Sequence, residues 1–215
     1  MVKQDSKRRD RATEARILDA ASAVFLKRGT AGARMQEIAR EAGVNHALLH
    51  YYFRSKGHLA AAVFRRAAGA LMPALIDLMA SPRPLRDKVY AVVALEIDCL
   101  TQAPQLPAYI ISELAHHPER VHQLIAQVSG VTPDAVGRRV TGVLKRQIAA
   151  AVRRGEIRSI EPAQFIVNLI SLCVFPFAAR PLLKEVLGMD DQAFASFMTR
   201  RRVQLPEFFM EALRP

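Results

Sequence analysis

The segment between residues 34 and 56 constrains the fold of this chain most, because its pattern predicts two short helices joined by one tight turn. The turn is expected at Gly43, and Ala39, four residues earlier, is small enough for a second helix to cross closely. The residues spaced to close the inner faces of the two helices are Ile38, Ala42, Val44 and Leu49. This spacing is typical of a helix-turn-helix.

The second helix of this pair carries side chains suited to DNA. Asn45 follows the turn and is expected to cap the helix, since its side-chain oxygen can accept a hydrogen bond from an orphan backbone N–H. The residues that the helix is expected to expose are His46, Ala47, Leu48, His50 and Tyr51. The pattern therefore predicts a helix that enters the major groove of double-stranded DNA.

The charge of the chain supports a polyanionic partner through its distribution. The formal net charge is +11, and residues 1–66 hold 14 Lys and Arg against 6 Asp and Glu, while the other 149 residues hold 17 against 14. A basic N-terminal third on a nearly balanced remainder indicates a polyanion-binding module on an ordinary globular body. Without the motif, a simple solvated surface would be the better interpretation.

The basic N-terminus allows two interpretations. Lys7, Arg8, Arg9 and Arg11 are placed to form a flexible arm over residues 1–10 that tracks phosphates or reaches a minor groove. Simple disorder is the equal alternative. A second basic cluster, residues 200–202, lies in the body of the chain. We expect these arginines to form an ordinary solvated surface, which is favoured over a further contact with DNA.

Helical spacing continues through nearly the whole chain, and no stretch alternates apolar and polar residues long enough to predict a strand, so we expect an all-α fold. A first helix is expected over about residues 11–27, with Gly29 as its stop. A fourth, capped by Ser55, should kink or restart near Met72 because Pro73 lacks a backbone donor. The later expected helices begin at Pro84, near Pro104 and Pro107, and at Pro118, Pro133 and Pro162, with one or two terminal helices over 190–213.

The helix that begins at Pro162 is apolar on nearly every side until Pro176. It must be covered by its own domain or by a second subunit, and dimerisation is the natural solution. The residues expected at the dimer interface are Val136, Val140, Val143, Leu144, Phe165 and Leu172. The segment 165–179 is too short to span a bilayer.

Other features exclude several classes of protein. Cys99 and Cys173 lie in apolar contexts, which predicts buried reduced thiols in a cytoplasmic protein, and no signal-peptide pattern follows the basic N-terminus. The pair His116 and His117 points to different helix faces, so a surface pair is favoured over a metal site. We find no catalytic triad, phosphate loop or metal-ligand spacing, and expect neither an enzyme nor a cofactor.

From about Thr13 to Leu59 the chain resembles the TetR family of bacterial transcriptional regulators. The resemblance rests on TEARILDAASAVFLKRG and QEIAREAGVNHALLHYYFRSKGHL, which together make up about a fifth of the chain. It implies a homodimer whose N-terminal heads, residues 1–55, bind a palindromic operator. It also implies that residues 56–215 hold the dimer interface and a pocket for a small-molecule effector, expected to be partly apolar, that releases a repressor.

The resemblance also assigns DNA-binding residues. It implies that Gln36, His46, Ala47 and Leu48 approach base edges and that His50, Tyr51 and Lys56 hold phosphates. Arg34 stands where the family often has a capping hydroxyl residue, so a cap is lost and a phosphate-binding cation is gained. His50 replaces the usual first tyrosine, and Tyr52 stands where the family often has histidine. The spacing of Tyr52 from Leu49 and Phe53 favours an inward position.

Candidate effector-binding residues come from the body of the chain. Glu96 is unusual because a carboxylate lies within an apolar helical stripe. The candidates are Met72, Glu96, Tyr109, Glu113, Phe165 and Asn168, with Met79 and His116 as further possible walls. The alternative for each is an ordinary core residue. For the whole chain, the alternative is a nonspecific architectural DNA-binding protein without an effector.

Overall fold

The structure, a computed structural model, describes residues 2–69, 71–116, 125–126 and 129–215; of residues 2–9, Glu113 and His116 it describes the backbone alone. Within these ranges the regular elements are all helices, which confirms the predicted all-α fold. They are α1 (Val2–Gly32), α2 (Met35–Glu41), α3 (His46–Phe53), α4 (Lys56–Ala68), α5 (Leu71–Met79), α6 (Leu85–Gln102), α7 (Leu106–His116), α8 (Pro133–Arg153), α9 (Pro162–Ala178), α10 (Arg180–Val186) and α11 (Asp191–Glu211).

The first helix is longer than its apolar pattern predicts. Residues 2–10, which we expected to form an arm, continue α1 upstream. Gly29 has φ 67°, a left-handed conformation that interrupts the helix where the stop was predicted, and a last turn then reaches Gly32. The predicted helix from Pro118 to about residue 128 falls mostly on residues 117–124 and 127–128, which lie outside the described residues.

The chain divides into two compact units. The N-terminal unit comprises residues 1–68 and 109–124, and the C-terminal unit comprises 69–108 and 125–215. In the N-terminal unit, α1 packs against α2 and α4 around the buried side chains of Ile17, Phe25, Ile38, Leu49 and Leu59. The compact units therefore place α4 with α1–α3, while the functional boundary expected after residue 55 stays a prediction.

Helix α6 forms the centre of the C-terminal unit. It contacts α5, α8, α9 and α11, because apolar residues recur along it at helical spacing. The fully buried part of its stripe is Val89, Val92, Val93 and Ile97. At the start of α8 the Thr132 hydroxyl accepts a hydrogen bond from the Ala135 N–H at 3.4 Å, so Thr132 is the N-cap of that helix.

A buried lysine fixes the turn between α5 and α6. The Lys88 side chain is fully buried, and its ammonium donates to Met79 O at 2.6 Å, Ser81 O at 3.0 Å and Gln147 Oε1 at 2.7 Å. Burial lowers the pKa of Lys88 to about 8. Because Gln147 belongs to α8, these bonds tie the turn to a third helix.

Helix α9 contains Pro176 and continues to Ala178. A proline removes the N–H that would donate to the carbonyl four residues earlier, here Leu172 O. The half-buried Arg201 of α11 donates to that oxygen instead, from Nε at 3.2 Å and from Nη2 at 2.9 Å. Arg202 makes a two-pronged ion pair with Asp98 at 2.6 and 2.7 Å. Two of the three arginines in this cluster thus bond within the C-terminal unit.

The cysteines are free thiols as predicted, Cys173 buried and Cys99 half-buried. Among the described helices, none by itself has the length and apolar character needed to cross a membrane. Two pairs of consecutive helices, each bent at the junction, have the required length and apolar character only when the two helices of the pair are taken together.

Candidate nucleic-acid interface

The turn between α2 and α3 closes with a helix-terminating pattern. The Gly43 N–H donates to Arg40 O at 3.1 Å, and the Val44 N–H donates to Ala39 O at 3.0 Å. Gly43 has φ 62°, and a Cβ added there would meet nothing within 4 Å. The requirement for glycine is therefore conformational and not steric.

Side-chain caps then start the next two helices. Asn45 Oδ1 accepts from the Leu48 N–H at 2.7 Å, which confirms the predicted N-cap of α3. Ser55 Oγ accepts from the His58 N–H at 3.2 Å at the start of α4, as its position predicted. Arg34, at the start of α2, makes no side-chain cap, in line with the loss of a hydroxyl residue there. Residues within a few positions of each other thus define where α3 and α4 begin.

Helix α3 presents a mixed face to solvent. His46, Ala47, His50 and Tyr51 are exposed, with 78% of Tyr51 accessible, whereas Leu48 is half-buried. The rings of His46 and His50 meet edge to face with centroids 4.5 Å apart. His50 Nδ1 donates to Arg54 O at 3.0 Å, which orients the ring and leaves Nε2 for another group. Hydrogen-bonding, apolar and aromatic groups therefore lie together on one exposed surface.

Tyr52 connects α3 to α1. It is half-buried, and its hydroxyl donates to Asp10 Oδ1 at 3.0 Å. Burial and this carboxylate raise the pKa of the Tyr52 phenol. Tyr52 therefore ties α3 to α1, consistent with the inward position that its spacing predicted.

A basic cavity of about 610 Å³ lies beside α2. Its lining residues are Arg28, Gly32, Arg34, Gln36, Glu37 and Arg40. Arg28 is paired with Glu37 at 2.8 Å across α1 and α2. Gln36 and Arg40 are exposed one turn apart on the same face of α2. Sequence reasoning missed Arg40, although its position four residues after Gln36 was the available signal.

Lys56, for which the resemblance implies a phosphate contact, already donates hydrogen bonds within the protein. Its side chain is half-buried, and Nζ donates to Ala31 O at 2.9 Å and to Ala33 O at 3.1 Å. These carbonyls belong to the connection between α1 and α2. The ammonium therefore holds that connection against the start of α4 and keeps one N–H for a further acceptor.

This geometry predicts that Lys56→Met will destabilise the protein as well as weaken DNA binding. Removing the ammonium leaves two carbonyls without their donor, which should cost about 1–2 kcal/mol in the free energy of unfolding, or roughly 2–4 °C in melting temperature for each kcal/mol. Thermal denaturation measures the effect, and exposed Arg54→Met is the control. A variant with an unchanged melting temperature would show that Lys56 has no structural role.

The candidate effector residues do not share one environment. Phe165 is fully buried, with its ring edge to face on Phe209 at 5.2 Å, and Met72 is half-buried. Asn168 is exposed at a groove of about 280 Å³. Tyr109 belongs to the N-terminal unit, where its ring stacks on Phe25 at 6.3 Å. The side chains of Glu113 and His116, and all of His117, lie outside the described residues.

Glu96 stands apart from the other candidates because it is a buried acid. Only 2% of it is exposed, and among the described residues its Oε2 has no hydrogen-bond partner. Burial raises the pKa of Glu96 to about 7, and a hydrogen bond from the Cys173 thiol opposes the rise only in part. In the same way, burial and the nearby Glu96 raise the pKa of the Cys173 thiol.

The predicted dimer residues require a correction. Val140, Leu144 and Phe165 are core residues of the C-terminal unit and have almost no surface left for a partner chain. Val136, Val143 and Leu172 are half-buried. The large apolar side chains that α9 and α11 do expose are Val167, Phe175, Val203 and Phe208. Periodicity could not separate the two sets because α9 is apolar nearly all round.

Comparisons with known proteins agree with this architecture. Residues 17–63 match the model of bacterial regulatory proteins of the tetR family. The chain is 32% identical over 128 residues to the transcriptional repressor SCO4008 of Streptomyces coelicolor, an alignment that covers 56% of this chain and 63% of the relative. The aligned part therefore spans under two thirds of that relative's length.

Two solved structures share the fold. The hemolysin II transcriptional regulator HlyIIR aligns with a TM-score of 0.64 and 20% identity over 96% of this chain and 99% of its own. FadR of Bacillus subtilis, solved with stearoyl-CoA, aligns with a TM-score of 0.62 and 15% identity over 93% and 99%. The matched segment, which contains the capped helix-turn-helix, is thus similar to the N-terminal domain of bacterial regulatory proteins of the tetR family, and the helical fold of the whole chain is shared with these two solved structures.

Proposed function

We propose that this chain is a ligand-responsive transcriptional regulator that binds a palindromic operator as a homodimer and acts as a repressor. The observation that carries the proposal is the exposed face of α3, capped by Asn45 and flanked by the basic cavity beside α2. A short exposed helix next to cations suits base contacts in a major groove between phosphate contacts. The repressor SCO4008 supports the sign of regulation.

The contacts divide by chemistry. We assign base edges to Gln36, His46, Ala47 and Leu48, since an amide pairs with adenine and methyl groups meet the thymine methyl. We assign phosphate contacts to Arg34, Arg40, His50, Tyr51 and the remaining N–H of Lys56. Asn45 acts indirectly, because its side-chain oxygen is committed to the Leu48 N–H.

Two variants on the same face of α2 test this division. Gln36→Ala should relax preference at one base position in each half-site, with a loss of about 1–3 kcal/mol of discrimination. Arg40→Ala should weaken binding to every sequence alike and reduce the salt slope by about 1. Fluorescence anisotropy with a panel of operator variants at several salt concentrations measures both. If the two variants gave the same profile, the division would be incorrect.

The dimer is proposed to use the outer faces of α9 and α11. Val167, Phe175, Val203 and Phe208 are each more than half exposed, and such apolar surface is typical of a protein contact. Two heads are required because each half of a palindrome takes one recognition helix.

Phe208→Glu is expected to shift the protein to monomers and to remove most operator affinity, because a charge would be buried at the interface without a partner. Sedimentation velocity measures the oligomeric state. Val186→Glu changes an equally exposed apolar residue of α10 and should stay dimeric. A fully dimeric Phe208→Glu protein would place the interface elsewhere.

Effector response is proposed to work through the body of the chain. FadR, a protein of the same fold, is solved with stearoyl-CoA, which supports a small-molecule site among such helices. An effector that binds one conformation better than another would shift the protein away from the spacing that the operator requires. Equal affinity for both conformations would produce no release.

A further inference from the structure

The most unusual group in the C-terminal unit is the carboxylate of Glu96. It lies on α6, the helix that α5, α8, α9 and α11 all contact, in a stripe with the buried Val92, Val93 and Ile97. It is 2% exposed, and within the described part of the chain its Oε2 has no hydrogen-bond partner. Buried polar groups are nearly always paired, so an orphan acceptor here requires an explanation.

Three of the described cations on or beside α6 bond to acceptors other than Glu96. Lys88, two turns earlier on α6, donates to Met79 O, Ser81 O and Gln147 Oε1. Arg201 of α11 donates to Leu172 O, and Arg202 pairs with Asp98. For Glu96 itself the described partner is the weak thiol donor of Cys173. Among the described residues, these cations therefore bond to neighbouring acceptors, and none of them pairs with the Glu96 carboxylate.

We propose that Glu96 binds the cationic nitrogen of the effector, so that the effector class is an amine, amidine or protonated N-heterocycle with an apolar body. This inference rests on the proposed effector response. An N–H donor would satisfy Oε2, and a charged donor would form the stronger, charge-assisted bond. The apolar side chains around the carboxylate suit a hydrophobic body, as in small-molecule sites generally. Because Glu96 is covered in this conformation, binding requires the helices around it to part. The effector would then bind a protein conformation different from the one described, and it would shift the population toward that conformation.

Three ligands of the same size and different charge test the class: benzylamine, benzyl alcohol and benzoate. Isothermal titration with the full-length protein should give a dissociation constant for benzylamine at least about tenfold below those of the other two. In Glu96→Gln that preference should disappear. Asp98→Asn, which changes an exposed carboxylate half a turn away, should keep it.

The outcomes separate this inference from the proposed function. Equal affinity for the three ligands, no benzylamine binding at millimolar concentration, or an undiminished preference in Glu96→Gln would overturn the cationic class; a buried water would then be the partner of Oε2. The proposed function is tested independently by operator binding without any ligand. A protein that binds its operator and ignores benzylamine would refute the effector class alone.

Discussion

Replacing Glu96 by glutamine is expected to raise the free energy of unfolding at pH 8 by about 3 kcal/mol, since each unit of pKa shift is worth about 1.4 kcal/mol. The folded pKa is about 7 against an ordinary value of 4.5. Below pH 4.5 both folded and unfolded chains hold the proton. Between pH 4.5 and 7 the unfolded chain loses it first, so this group's contribution to stability falls as the pH rises, and it stays low above pH 7.

Urea denaturation of both proteins from pH 4 to pH 8 measures this difference. The stability of the wild type relative to Glu96→Gln should fall across pH 4.5–7 and then become constant. Glutamine keeps the shape of the side chain and an oxygen that can accept from Cys173, so a cavity does not complicate the comparison. A constant difference across the whole pH range would mean that Glu96 is solvated or paired when ionised.

Arg201→Met is expected to cost about 2–3 kcal/mol, because it removes both donors to Leu172 O in a half-buried position. Arg200 is its exposed neighbour on α11, and Arg200→Met should stay within about 0.5 kcal/mol of the wild type. Chemical denaturation measures the free energy of unfolding of both variants. The comparison isolates the contact with Leu172 O, because Arg201→Met removes it and Arg200→Met does not.

A double-mutant cycle with Pro176→Ala identifies the cause of that loss. Alanine restores an N–H that can donate to Leu172 O within α9, so the cost of Arg201→Met should fall to about 1 kcal/mol in the Pro176→Ala background. Additive effects of the two substitutions would show that Arg201 stabilises α11 by some other contact.

The sequence predicted those parts of the site that depend on neighbouring residues. Gly43 closes the turn and Asn45 caps α3, because a left-handed glycine and a side-chain cap are determined within a few positions. The all-α fold followed in the same way from helical spacing. Local rules could also have indicated Arg40, one turn after Gln36 on the exposed face of α2.

Contacts between distant residues could not be predicted from the sequence. The bonds from Lys56 to Ala31 and Ala33 span more than twenty residues, and the bond from Tyr52 to Asp10 spans 42. Both depend on tertiary packing. The carbonyl of Leu172, which Pro176 leaves without its helical N–H donor, accepts instead from Arg201, 29 residues later. In an all-apolar helix, periodicity also could not distinguish buried Phe165 from exposed Phe175.

The central claim is sequence-specific DNA binding through α2 and α3, and the competing account is an architectural protein that uses only the basic N-terminal third. Binding of the full-length protein to its operator and to random duplexes of the same length, over a range of salt concentrations, separates the two. We predict that the operator is bound at least about a thousandfold more tightly than random DNA at physiological salt. Equal affinities with the same salt slope for all sequences would contradict the account.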